Sequence, residues 1–175
     1  MKVTVSQLCL PSGPLSLIES AVRELSTKLP PSAWLDRALL SQLLVAQPIR
    51  AQKIKRHFCV VGGFRTYHLA IAMIPSGKII PIELVKGGER LHVEAALAAL
   101  LANVLDGQQG EVSRRRFAYN TLRRMALDLR AYPSIKIPGV LSPRGLRVAL
   151  NIMPHETKTP RARLSDYGKL MGARK

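Results

Sequence analysis

Acidic side chains are scarce in this chain. Against 27 Lys and Arg stand only 11 Asp and Glu, a formal net charge of +16 over 175 residues. Self-repulsion of that size opposes compaction, and solubility alone calls for far less charge, so the balance points to an acidic partner. Nucleic acid is the first candidate, because each neutralised phosphate releases a condensed counterion. An anionic membrane surface or an acidic protein meets the same electrostatic need. Cysteine is scarce too. Cys9 and Cys59 stand in no metal spacing and lie within apolar segments, the pattern of reduced, buried thiols in a cytoplasmic protein. Long hydrophobic runs are missing. The best, Val93 to Leu105, is too short and too alanine-rich to span a bilayer. The opening MKVTVSQLCLPSGP alternates Val3 and Val5 with polar residues and reads as a strand, not a signal peptide. No Walker phosphate loop and no Ser/His/Asp set in a recognisable local context is found.

What is present argues for a folded domain. Hydrophobic residues make up 47% of the chain, which excludes a disordered polycation, and the length suffices for one real core. Val3 to Leu10 reads as a first strand. Leu15 to Leu29 carries apolar residues at helical spacing with Glu19, Arg23 and Glu24 facing outwards, and Ser32 can cap a second helix over Ala33 to Ala46. QPIRAQKIKRHFCVVGG predicts two strand segments around a polar turn at Gln52 to Arg56; Thr66 to Met73 is helical and Ile79 to Val85 a strand. A helix is expected over Glu89 to Leu105, a basic helix over Ser113 to Tyr132, and a late strand over Leu146 to Met153. The expected architecture is α+β, a small mixed sheet flanked by helices. Residues 1–110 form its core, 111–153 a basic helix and late strand packed on it, and 154–175 a mobile basic tail.

Candidate chemistry begins at FCVVGGFRTYHLA, Phe58 to Ala70. A strand running into Gly62-Gly63 and then a helix is a sound device for binding an anion. Glycine lets the backbone approach a phosphate, and the new helix offers unpaired N–H groups with a partial positive charge. Arg65 in the first turn adds a charge-assisted contact and Thr66 a hydroxyl. Arginine there is otherwise unfavourable, because the helix dipole prefers anions at this end. Taken alone, a glycine pair at such a corner is more often only a tight turn.

The order of short motifs carries a resemblance. Gln47-Pro48-Ile49, then Phe58, Val60, Val61 and Gly63, then Arg65, Leu69 and Ala70, and finally Ile80-Pro81-Ile82 resemble the core of the ParB N-terminal domain, in the ParB/sulfiredoxin superfamily. The helix ERLHVEAALAALLAN resembles the family's next helix, with Asn103 matching its Asn and Ala102 in place of the expected Glu. The resemblance covers Val3 to about Leu105 and implies a ParB/sulfiredoxin-like fold with a nucleoside triphosphate, ATP or CTP, at Gly62, Gly63, Arg65, Thr66 and Asn103. Two departures stand out. Phe64 and Thr66 replace the Glu and second Arg of the ParB corner, and Phe64 also occupies the place of the sulfiredoxin cysteine, so sulfinic acid reduction is excluded for want of a thiol. Small plasmid-borne fertility-inhibition proteins of this superfamily, nucleases and ATPases, have a similar size and fold order. By that likeness, metal-dependent DNA cleavage or nucleotide hydrolysis and a conjugation or type IV secretion partner are implied. The contrasting class is a non-enzymatic plasmid or phage regulator that docks on DNA or a transfer-machinery protein.

In that catalytic reading Arg65 stabilises phosphoryl charge, while Glu89 or Glu94 helps to position Mg²⁺ or water. The bland alternative has Glu89 complementing the helix dipole and Glu94 on the surface. His57, His68, Cys9 and Cys59 have no spacing that requires a metal. For nucleic acid, DNA or RNA, the best candidates are Arg114, Arg115, Arg116, Arg123 and Arg124 of the basic helix. Tyr119 and Asn120 are interleaved with them, and Lys53, Lys55, Arg56 and the tail residues Arg161, Arg163, Arg174 and Lys175 extend the basic surface.

Overall fold

The computed structural model describes residues 1–26, 36–106 and 112–157. Among these residues the fold is α+β: six helices, a mixed four-stranded sheet and a separate two-stranded sheet. The first segment does not run as one strand. β1 (Lys2–Thr4) pairs antiparallel with β5 (Ile79–Pro81), a 3₁₀ turn follows over Val5–Gln7, and β2 (Leu8–Cys9) joins the other sheet. The break is made by a capping box, in which the Thr4 N–H donates to the Gln7 side chain at 3.0 Å. The expected strand Ile79 to Val85 also divides: β5 serves β1, whereas β6 (Glu83–Leu84) runs parallel to β3 (Arg50–Ile54).

The four-stranded sheet has the order β2-β4-β3-β6, with β4 spanning His57–Gly62. Phe58 to Gly62 are all buried, as suits a central strand covered on both faces. α1 (Pro14–Ser26) starts with Pro14 at its first position, where the missing N–H costs nothing. It packs on α3 (Phe64–Met73), α4 (Glu89–Asp106) and α5 (Val112–Asp128). α2 (Arg37–Ala46) is capped by Asp36, which accepts the Leu39 N–H at 2.7 Å. The predicted start of that helix, including Ser32 as its cap, lies outside the described residues. Buried side chains from Val3 to Ile152 join in one hydrophobic cluster.

The expected late strand over Leu146 to Met153 is overturned: α6 occupies Pro143–Ala149. Leu146, Val148, Leu150 and Ile152 alternate with period two, which is what suggested a strand. The helix wins because Ser142 caps it through the Gly145 N–H and Pro143 fixes its first turn, while Leu146 and Leu150 are four residues apart on the buried face. Val148 is left 75% exposed. Asn151, at φ 46°, ends the helix in the left-handed conformation that asparagine tolerates. The segment from 154, expected to begin the tail, opens with a 3₁₀ turn over Pro154–Thr157, and the rest lies outside the described residues. No helix among the described residues is long and apolar enough to cross a membrane.

Candidate functional site

β4 delivers the chain to the glycine corner. Gly63 caps α3 with φ 67° and ψ 30°, a left-handed conformation that glycine adopts without penalty. A Cβ there would lie 2.4 Å from the Pro48 carbonyl oxygen and 3.0 Å from the Ile49 Cα, so close packing of the corner on the Gln47–Ile49 segment also demands glycine. The Tyr67 N–H returns to the Gly63 carbonyl at 2.9 Å, which leaves the first-turn amides ahead of it without intrahelical acceptors. Of the first-turn side chains, Phe64 and Thr66 are buried and Arg65 is exposed. Thr66 is 1% exposed, so its hydroxyl lies within the domain. Arg50 stands opposite Gly62 across the β3–β4 ladder, with its guanidinium bound to Glu83 at 3.0 Å. Of the two side chains expected to meet an anion at this corner, Arg65 is therefore exposed and Thr66 is not.

The other residues expected to serve this corner belong to α4. Glu89 opens the helix, and its Oε1 stands 3.1 Å from where a Cβ on Gly13 would be. Glu94 accepts from Arg90 Nε at 2.9 Å along the exposed face. Asn103 is exposed near the far end of α4, roughly 21 Å along the axis from Glu89. No hydrogen bond or ion pair among the described residues joins Glu89, Glu94 or Asn103 to Gly62, Gly63 or Arg65.

The arginines of α5 separate into different tasks. Arg115 Nη1 donates to the Asn151 carbonyl at 2.6 Å, at the C-terminal end of α6, where a cation complements the helix dipole. Arg116 Nε donates to the Glu156 carbonyl, and Arg124 pairs with Glu24 of α1. Arg114 and Arg123 are exposed, but nine residues at about 100° each place them on opposite sides of the helix. The five arginines thus form no single stripe, and Tyr119, interleaved among them, is 3% exposed. Asn120 is exposed.

A different basic surface lies at the β3–β4 turn. Lys53, Ile54, Lys55, Arg56 and His57 are consecutive and all exposed. The turn residue Lys55 has φ 54°, a left-handed conformation that is uncommon for a side chain of this kind. The signal in the sequence is the absence of any Asp or Glu between Asp36 and Glu83. This hairpin and the glycine corner lie at opposite ends of β4, about 17 Å apart along the strand.

One ionisable cluster is buried. Glu19, expected on the solvent side of α1, is 4% exposed and its Oε1 lies 2.9 Å from His68 Nε2 of α3. Burial lowers the His68 pKa from its ordinary value; Glu19 opposes the shift and Arg23 adds to it. Tyr67 is raised by burial and by the neighbouring Glu19 and Cys9. Cys9 and Cys59 are opposite each other on the parallel strands β2 and β4, and burial, then Cys9, pushes the Cys59 thiol up to about 11. Among the described residues no group of three or more His, Cys, Asp or Glu is placed to hold a metal ion. Comparison of the chain with protein-family models, with curated proteins and with solved structures gives no match.

Proposed function

We propose that this chain binds nucleic acid, and that its fold is of the ParB/sulfiredoxin-like kind. One observation carries the binding. Lys53, Lys55, Arg56, Arg65, Arg114 and Arg123 are exposed and form no ion pair among the described residues, in a chain of net charge +16. Unpaired surface cations in such excess are the electrostatic footprint of a polyanion partner. The fold reading rests on motif order: the QPI segment leads into β3, VVGG closes β4, Arg65 lies in the first turn of α3 and IPI spans β5 and the link to β6. The test is a thermal melt with added duplex DNA at low salt. Selective binding to the folded state raises Tm, by mass action, and sub-micromolar binding at 10 μM DNA gives a rise of several degrees. An unchanged Tm with no complex in solution contradicts the reading.

A second reading has its own support at the glycine corner. The left-handed cap at Gly63, the first-turn amides that have no intrahelical acceptor and the exposed Arg65 suit the phosphates of a nucleoside triphosphate. In this reading Arg65 and the amides bind and orient phosphoryl oxygens, and Mg²⁺, if used, neutralises further charge on the nucleotide. Titration with ATP and CTP tests it. Nucleotide raises Tm in the wild type and not in Arg65→Ala; a rise that survives in Arg65→Ala contradicts it.

A further inference from the structure

We propose that the β3–β4 hairpin is the reading head of this protein, and that the nucleic acid it takes is duplex DNA, entered through the major groove. The inference rests on the nucleic-acid reading above and names its partner and its contact element. β6 pairs with β3 only at Arg50 and Ala51, and β2 with β4 only at Leu8–Phe58 and Cys9–Cys59. Ile54 to His57 therefore project beyond both neighbouring strands as a bare two-stranded ribbon, about 7 Å long. The major groove of B-form DNA is about 12 Å wide and 8.5 Å deep and admits such a ribbon. The major groove of A-form RNA is too narrow for side chains to read, so the same projection discriminates against duplex RNA.

The chemistry of the tip fits that groove. Lys55 and Arg56 at the tip and Lys53 at its base bring three cations to this end of the hairpin, none of them in an ion pair among the described residues. Arginine and lysine are the side chains that meet the guanine O6 and N7 edge or the flanking phosphates. Ile54, an apolar side chain 50% exposed between the cations, suits contact with a thymine methyl. Lys55 stands at the turn itself. Its turn position, at φ 54°, is one that asparagine or glycine fills with less strain, yet a lysine is held there.

Fluorescence anisotropy with one sequence as duplex DNA, duplex RNA and single-stranded DNA tests the proposal. The proteins are the wild type, Lys53/Lys55/Arg56→Ala, Arg114/Arg123→Ala and Lys55→Asn. The wild type is expected to bind duplex DNA at least tenfold more tightly than duplex RNA. The triple variant should lose at least tenfold on duplex DNA at unchanged Tm, with its salt slope shallower by about 2.7, three phosphate contacts at ~0.9 each. Lys55→Asn should raise Tm and weaken DNA binding together, a pairing that a merely structural turn does not produce. If the wild type binds DNA but the triple variant binds within twofold of it, or if duplex RNA or single-stranded DNA binds equally well, the hairpin proposal fails and the nucleic-acid reading stands. If the wild type binds none of the three, the underlying reading has failed first.

Discussion

At Gly63 a single missing Cβ decides the corner. The neighbouring Pro48 carbonyl stands 2.4 Å from the Cβ position and φ is 67°, so Gly63→Val meets both a clash and a disfavoured backbone. A loss of about 2 kcal/mol or more is expected in urea denaturation. Arg65→Ala, by contrast, removes an exposed cation from a positive helix end and should shift stability by less than ~0.5 kcal/mol. A large loss on Arg65→Ala would show that the arginine is structural. His68 provides a second test. Its lowered pKa means that the folded protein takes up this proton later than the unfolded chain as pH falls. The stability it contributes is complete above the ordinary histidine value, 6.5, and is lost as pH drops from there towards the folded-state pKa. Comparing wild type with His68→Gln between pH 7.5 and 5, the wild type should lose stability more steeply. Equal slopes would mean that His68 is not held in the neutral form beside Glu19, Arg23 and Tyr67.

Among the elements, what could be read in advance follows from the strength of the local pattern. β4 and α3 were legible because an apolar run ending in Gly62-Gly63 is a strong punctuation, and the structure begins α3 at Phe64. The same logic failed at α6, where apolar residues recur with period two in a segment that Ser142 and Pro143 start as a helix. It failed again at Glu19, a charged residue that a helical wheel sends outwards and that lies buried beside His68. The candidate site was legible in part. Gly62, Gly63 and Arg65 form one corner through chain continuity, whereas the joining of Glu89, Glu94 and Asn103 to it depended on tertiary geometry that no local spacing fixes. The arginines of α5 were visible as charges, but not the carbonyls of Asn151 and Glu156 that engage Arg115 and Arg116. That division predicts unequal effects. Arg115→Ala should destabilise the protein by about 1.5–3 kcal/mol, the range for a charge-assisted hydrogen bond, and loosen α6 in hydrogen exchange. Arg123→Ala should change stability by less than ~0.5 kcal/mol. Similar losses for both would contradict the structural assignment of Arg115.

For the whole molecule, one number dominates: a net charge of +16 carried by a protein with a continuous hydrophobic core. Its cations are not equivalent. Some are engaged by the fold, as at Arg50 with Glu83 and Arg124 with Glu24, and those at the hairpin tip, at Arg65, Arg114 and Arg123 are left to solvent. The central claim is that this remainder exists to neutralise phosphates. The most direct measurement is the affinity of the wild-type protein for a labelled DNA duplex across 50 to 200 mM salt. Three to six contacts predict a slope of log K against log salt of about −3 to −5, which is a weakening of roughly 10²- to 10³-fold over that range. A flat dependence, or no binding at 50 mM, would contradict it.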